Sequence, residues 1–451
     1  MPLTQKPAFR IIHFIMLHSL AQELNEVLKS TTPGELMSDF GLRMYFPKGI
    51  IAQSAEAKKE GKKANATIGM TVTKGVPVIL PSVQKFVPDL TSNESVAYAP
   101  TAGIPELRSI WKEKIIKKNP SLKGKDFSLP VVVPGLTAGI SYLCDLFLSK
   151  GDVLLAADPS WDNYVLAAEA RRQAVFRQFN MFSGQGLNHG FSVQNFRQAV
   201  QENISSGKIC ILLNFPQNPS GYSPTEAEGI QICDTIKEFA ENGTKIMVWC
   251  DDAYFGLDYE PNIEKESLFA KLADIHENVF VAKIDGPTKE DFVWGFRCGF
   301  ITFAGKSLTS AHYDALEKKL MGDIRSSVSC CSTPTQSILL KAFKEPSLET
   351  EKEEYRKLLE RRYKKVKAFL ETKTEDKYLQ PMPFNSGYFM SLQCNGIDAE
   401  ELRQHLLKEK GVGTIAIDSK TLRVAFSSID EDLIEMVYAE IYSVAHELAG
   451  E

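Results

Sequence analysis

The sequence predicts an α/β protein: a large domain with a seven-stranded, mostly parallel sheet between helices, plus a smaller α+β domain from the N- and C-terminal segments. Three observations point there. Between about residues 95 and 305, short apolar runs without alternation recur, most of them followed by an amphipathic stretch, as strands buried on both faces require. After residue 345 the pattern changes to one long charged helix, short strands and a closing helix. At 451 residues the chain is too long for one small core. The expected division is 1–80 and 346–451 for the small domain and 81–345 for the large one.

Taken in order, residues 1–21 carry two basic residues and then the apolar run Ile11-Ile12-His13-Phe14-Ile15-Met16-Leu17. Histidines interrupt the run and no small-x-small cleavage site follows, so it reads as an N-terminal helix or extension, with an organellar presequence as the alternative. Strands are expected at 131–133, 153–156, 174–179, 209–213, 246–250, 279–284 and 300–303. Helices are expected at 138–148, 163–172, 193–203 and 225–241. The charged stretch 347–377 reads as a solvated helix. Strands at 387–392, 413–417 and 422–427 and a helix at 431–448 complete the small domain.

Composition excludes several classes. With 43% hydrophobic and 24% charged residues the chain is an ordinary globular protein. The net charge is −5 with no basic stripe, and Lys58-Lys59-Glu60-Gly61-Lys62-Lys63 reads as a solvated helix end, so no nucleic-acid partner is expected. No stretch approaches the roughly 20 apolar residues of a membrane span, so no membrane partner is expected. Eight cysteines show no CxxC pairing and several lie in apolar strands, as small hydrophobes do in a reducing compartment; a cytoplasmic location is expected, and no metal site.

The chemistry is concentrated in six motifs. Lys289 follows the apolar strand 279–284, and Arg297 comes eight residues later between Gly295 and Gly299. A desolvated lysine is held neutral enough to form an imine, and a guanidinium grips phosphate through paired N–H donors. Pro134-Gly135-Leu136-Thr137 sits between a strand and a helix, either an anion-binding helix start or a plain turn. Trp161, in Asp158-Pro159-Ser160-Trp161-Asp162-Asn163-Tyr164, is placed to stack on a heteroaromatic ring or to serve as a packing aromatic. Asn218 follows the strand 209–213 in Asn218-Pro219-Ser220-Gly221, where a cis Asn218–Pro219 bond would suit a tightly specified site. In Asp251-Asp252-Ala253-Tyr254 an apolar strand ends on two carboxylates; Asp251 wants a partner such as a protonated pyridine nitrogen, unless it is a helix cap. Arg423, in a strand of the small domain, wants a fixed anion: a substrate α-carboxylate or an internal acid.

Together and in this order, these motifs resemble the fold-type I pyridoxal-phosphate enzymes of the class I/II aminotransferase family, the aspartate aminotransferase superfamily. The resemblance runs from about residue 65 to the C-terminus. It implies pyridoxal 5'-phosphate as cofactor, with Lys289 as imine-forming lysine and base, Asp251 on the pyridine nitrogen, and Tyr254 and Asn218 on the ring oxygen. Trp161 takes the ring-stacking position, Leu136, Thr137 and Arg297 hold phosphate, and Arg423 binds the substrate carboxylate. Tyr98 resembles the tyrosine that reaches a partner subunit's phosphate, which implies a homodimer with shared active sites. Arg325 resembles an arginine that binds a distal carboxylate in some members, and a helix-capping or interface role is the alternative. One position departs: where the family often has a phosphate-contacting serine three residues before the lysine, this chain has Gly286, with Thr288 beside the lysine.

The implied reaction is ping-pong transamination between an L-amino acid, aspartate or aromatic favoured, and a 2-oxo acid such as 2-oxoglutarate. A lyase catalysing β- or γ-elimination on the same scaffold is the alternative. A non-catalytic effector-binding domain of a transcription regulator is disfavoured, because the segment before residue 65 lacks a helix-turn-helix pattern and is not strongly basic.

Overall fold

The computed structural model describes residues 17–28, 42–43, 50–61, 63–67, 69–204 and 207–450. Most of the N-terminal apolar run lies outside them; a helix spans Ser19–Leu28. Lys58 and Lys59 form the exposed last turn of the helix Ile50–Glu60.

All seven expected strands of the large sheet form, within two residues at either end: β1 (Val131–Val133), β2 (Val153–Asp158), β3 (Val175–Asn180), β4 (Lys208–Asn214), β5 (Lys245–Asp251), β6 (Val279–Asp285) and β7 (Gly299–Gly305). Their order is β1-β7-β6-β5-β4-β2-β3. Only β7 runs antiparallel to its neighbours, so the sheet is mostly parallel.

The absence of alternation in these strands has a simple cause. Leu212, Trp249, Ile284 and Phe303 pack into one core with Ile140, Leu143 and Ile324. Ile211, Leu213, Val248 and Val281, an odd number of positions away along the same strands, pack into a second core with Phe196, Ile232, Ile236 and Phe239. Successive side chains point to opposite faces, and both faces are covered. Each large buried side chain contributes about 1.5–3 kcal/mol, so the strand ends are held far more firmly than the loops beyond them.

Helix boundaries follow local chemistry. The helix Glu226–Glu241 starts in a capping box between Thr225 and Glu228, and the helix Val193–Asn203 starts on the Ser192 hydroxyl. The stretch expected as one helix over 163–172 begins at Asn163 and passes into a π-helical turn, Leu166–Ala170.

The C-terminal part differs more from expectation. The charged helix spans Leu348–Glu371 and the closing helix Ile434–Ala449. A four-stranded sheet has the order Leu379–Pro381, Met390–Cys394, Thr421–Val424, Ile415–Ala416, its first strand unforeseen. The strand expected from 387 starts at Met390. Before it, Asn385 and Ser386 donate backbone N–H to the Gly221 carbonyl and Gly387 donates to Leu257, so this segment is spent docking on loops of the large sheet. The strand expected over 413–417 divides: Val412–Gly413 pairs with Ala64–Asn65, and Ile415–Ala416 pairs with Thr421–Val424.

Candidate active site

β5 is buried along all but its first residue and ends at Asp251, 3% exposed. The Tyr164 hydroxyl donates to Oδ2 of Asp251, and the Ala253 backbone N–H donates to Oδ1 at 3.3 Å. Asn214, at the end of β4, donates its amide to the Asp251 carbonyl at 2.7 Å. Burial raises the Asp251 carboxyl to about 6, against the pull of Tyr164. Among the described residues the hydrogen-bond donors to this carboxylate are all neutral, at a position suited to a cation.

β6 ends at Asp285, and the short helix Pro287–Glu290 carries Lys289 into the same space. Its amine lies 5.2 Å from the centre of the Tyr254 ring. Tyr388, from the docking segment of the C-terminal part, donates its hydroxyl to the Lys289 carbonyl at 2.7 Å. Burial lowers the amine to about 8; Asp251 opposes this and Arg297 adds to it.

The end of the pocket suited to an anion is built from close backbone packing. Gly135, at φ +89°, precedes the helix Leu136–Phe147, whose first N–H groups are without intrahelical partners. A Cβ at Gly135 would lie 2.4 Å from a guanidinium nitrogen of Arg297, so the missing side chain is what lets that guanidinium approach the helix start. Arg297 itself is left-handed, at φ 50°, and donates to the Trp294 carbonyl at 3.1 Å. Gly286 is explained in the same way. A Cβ there would lie 2.9 Å from the Cα of Gly299 and 3.0 Å from the Cys298 carbonyl oxygen, so a serine does not fit without moving backbone. Thr288 is buried and directs its hydroxyl to the Cys298 carbonyl at 3.3 Å.

At the opposite end, Arg423 is 2% exposed, donates to Oδ1 of Asn218 at 2.9 Å and to the Thr67 carbonyl at 3.1 Å, and lies 4.3 Å from the Phe389 ring centre. Its Nε is buried without a hydrogen-bond acceptor among the described residues. The Asn218–Pro219 bond is cis, and Asn214 Oδ1 accepts the Asn218 backbone N–H at 2.9 Å.

Leu136, Thr137, Trp161, Asn218, Asp251, Tyr254, Lys289 and Arg297 all line one cavity of about 110 Å³, and Arg423 joins it through Asn218. Tyr98 and Arg325 do not line it in their own chain: Tyr98 is 93% exposed and Arg325 lies exposed on the helix Ser310–Ser327. Sequence reasoning missed Tyr164 and Asn214. Tyr164 was in plain view three residues beyond Trp161, in the motif singled out for the tryptophan, but nothing local shows that it turns toward a carboxylate 87 residues on.

These residues fit pyridoxal phosphate. An anion-ready helix end, a lysine of lowered basicity, a buried carboxylate facing only neutral donors and an orphaned arginine Nε are each what one part of that cofactor or of its amino acid substrate requires. A set of this kind at the C-terminal strand ends of an open α/β sheet is what a pyridoxal-phosphate enzyme would require. Residues 71–441 match the family of class I and II aminotransferases, and the chain belongs to it: it is an aminotransferase dependent on pyridoxal 5'-phosphate. It is 23% identical over 357 residues to an aspartate aminotransferase of Sulfurisphaera tokodaii, covering 75% of this chain and 80% of that protein. Among solved structures, an aminotransferase from Anaerococcus prevotii superposes with a TM-score of 0.79 at 22% identity, covering 91% of this chain and 99% of that one. A kynurenine aminotransferase of Pyrococcus horikoshii gives 0.74 at 19% identity, covering 92% and 98%. Among the described residues no helix is long and apolar enough to cross a membrane.

Proposed function

We propose that the chain transfers an amino group from an L-amino acid to a 2-oxo acid such as 2-oxoglutarate by a ping-pong mechanism, with aspartate or aromatic donors preferred. The observation that carries this reading is the shared pocket of Lys289, Asp251 and Tyr254. When bound, pyridoxal phosphate supplies an aldehyde for the substrate nitrogen and a ring that withdraws electrons from the substrate's Cα–H bond. Lys289 Nζ, of lowered basicity, would take the substrate's Cα proton and hand it back two bonds away, beyond the substrate nitrogen. Asp251 would hold a proton on the ring nitrogen, with Tyr164 on its carboxylate and Asn214 on its main-chain carbonyl keeping it in place. Tyr254 and Asn218 donate to the ring oxygen, with Trp161 against its face. Leu136 and Thr137 at the helix start, together with Arg297, hold the phosphate. Arg423 binds the substrate carboxylate, with Asn218 and Thr67 aiming its guanidinium.

A second copy of the chain completes the site in this reading. Tyr98, exposed at 93%, reaches the partner's phosphate. Arg325, exposed on its helix, binds the distal carboxylate of a dicarboxylic substrate. The name of the Sulfurisphaera relative supports an aspartate preference and that of the Pyrococcus structure an aromatic one.

A half-reaction screen tests this. Holoenzyme mixed with single amino acids is expected to lose its visible absorbance once and stop, fastest with aspartate or an aromatic donor. Continuous release of product from an amino acid alone would instead identify a lyase. Arg325→Ala should slow dicarboxylic donors selectively; equal loss with alanine and aspartate would show that it does not read the distal carboxylate.

A further inference from the structure

The segment bearing Lys289 is gripped from behind by charges that the proposed chemistry does not use. At its start, Asp285 accepts a hydrogen bond from Trp111 Nε1 at 2.9 Å and pairs with Lys283 at 3.3 Å. Just past the lysine, Glu290 receives two ammonium groups from different elements. Lys118, the last residue of the helix Pro105–Lys118, meets Oε2, and Lys352, from the start of the charged helix Leu348–Glu371, meets Oε1 at 3.0 Å. Lys352 also reaches Asp291 at 3.2 Å and lies 3.9 Å from Glu349. Both oxygens of Asp291 are buried without a hydrogen-bond donor among the described residues, so this ammonium is what offsets their charge. Glu290 packs against the Tyr254 turn as well: a Cβ on Gly256 would lie 2.9 Å from its Oε1.

Solvation does not account for this arrangement. Lys352 leaves only 8% of its side chain exposed although it sits on a helix whose charges the sequence assigns to water. Buried ion pairs gain little net stability, because desolvation cancels most of the attraction. Charges held by several partners at once do fix geometry. Burial opposes ionisation of Glu290, yet Lys118 and Lys352 outweigh it and hold its carboxyl well below the usual range, so the carboxylate they share stays charged.

We propose that Lys352 is a positioning residue for Lys289: by bridging Glu290 and Asp291 from the charged helix, it fixes the Pro287–Glu290 turn so that the Lys289 amine stays against Tyr254 and partly shielded from water. This rests on Lys289 being the reacting amine. Asp251, Tyr254 and Arg297 face that amine on the pocket side, and Lys118, Glu290, Asp291, Glu349 and Lys352 form the clamp on the other side. Without Lys352, Lys118 alone opposes two carboxylates, the turn loosens and more water reaches Lys289.

The test uses the full-length, cofactor-free chain. Acetylation of Lys289 by acetic anhydride is followed against pH by peptide mass spectrometry in wild type and Lys352→Met. The wild-type midpoint is expected near pH 8, and loss of the clamp should raise it by about one unit, a roughly fivefold slower reaction at pH 8. Where Lys352→Met does not fold, Lys352→Gln, which keeps a donor toward Glu290, takes its place with a shift in the same direction. A folded Met or Gln variant with the wild-type midpoint overturns the proposal. Its failure is separable from failure of the functional reading, which falls if Lys289→Ala retains transamination or if an amino acid alone gives continuous release of product.

Discussion

Two lysines six residues apart show what this fold does with a buried amine. Lys283, inside β6, is sealed from solvent, paired with Asp252 and at 3.3 Å from Asp285. Burial works against its charge, but the two carboxylates overcome it and push its pKa above the usual lysine value. Lys289, just past the same strand, faces a pocket with one carboxylate at a distance and a guanidinium nearby, and burial wins, taking it to about 8. Residue type and sequence neighbourhood are shared, with Lys283 in the strand and Lys289 on the short helix that follows it. What separates a structural ammonium from a usable amine is the number of carboxylates within reach.

The sharpest way to break the contrast is to remove each lysine in turn. Lys289→Ala should lower kcat by about 10⁴-fold or more and abolish the cofactor's visible band, with little change in melting temperature. Wild-type turnover would remove the distinction altogether. Lys283→Met should do the reverse: the band persists, while the uncompensated Asp252 and Asp285 cost about 3–5 kcal/mol in denaturant unfolding. A smaller effect concerns pH. Because Lys289 is lowered in the folded state, the unfolded chain binds more protons between about pH 8 and the ordinary lysine value near 10.5, so cofactor-free wild type should gain stability with rising pH across that window. The gain, up to about 3 kcal/mol, should be missing from Lys289→Met, and identical slopes for the two proteins would contradict the lowered amine. The smallest effect belongs to Tyr164→Phe. Losing that hydroxyl, which favours the charged carboxylate, should raise Asp251 above about 6, so that cofactor binding weakens at a higher pH than in wild type as the solution is acidified. An unmoved acid limb would show that Tyr164 does not tune Asp251.

Much of this was legible in the chain itself, and the reason is physical. Strands such as 209–213 and 246–250 are apolar throughout because both faces of the sheet are covered, and the residues that follow them, Asn214 and Asp251, are polar because the pocket begins there. Lys289, Arg297, Asp251, Tyr254 and Asn218 could be picked out from strand ends and spacing. Tyr164 and the Lys118–Glu290–Lys352 cluster could not, since each contact joins elements far apart in sequence and each residue alone resembles a surface or packing residue. The segment around 387 was misread as strand because Tyr388 and Phe389 are apolar enough to be one, while their job is to dock on Lys289 and Arg423.

The contact between Gly286 and Gly299 carries a warning for protein engineers. Placing at 286 the serine that the sequence resemblance suggests would look like adding a phosphate contact. Here it would wedge two neighbouring strands apart at the floor of the pocket. Borrowing residues from cousins is a poor guide wherever two main chains already touch.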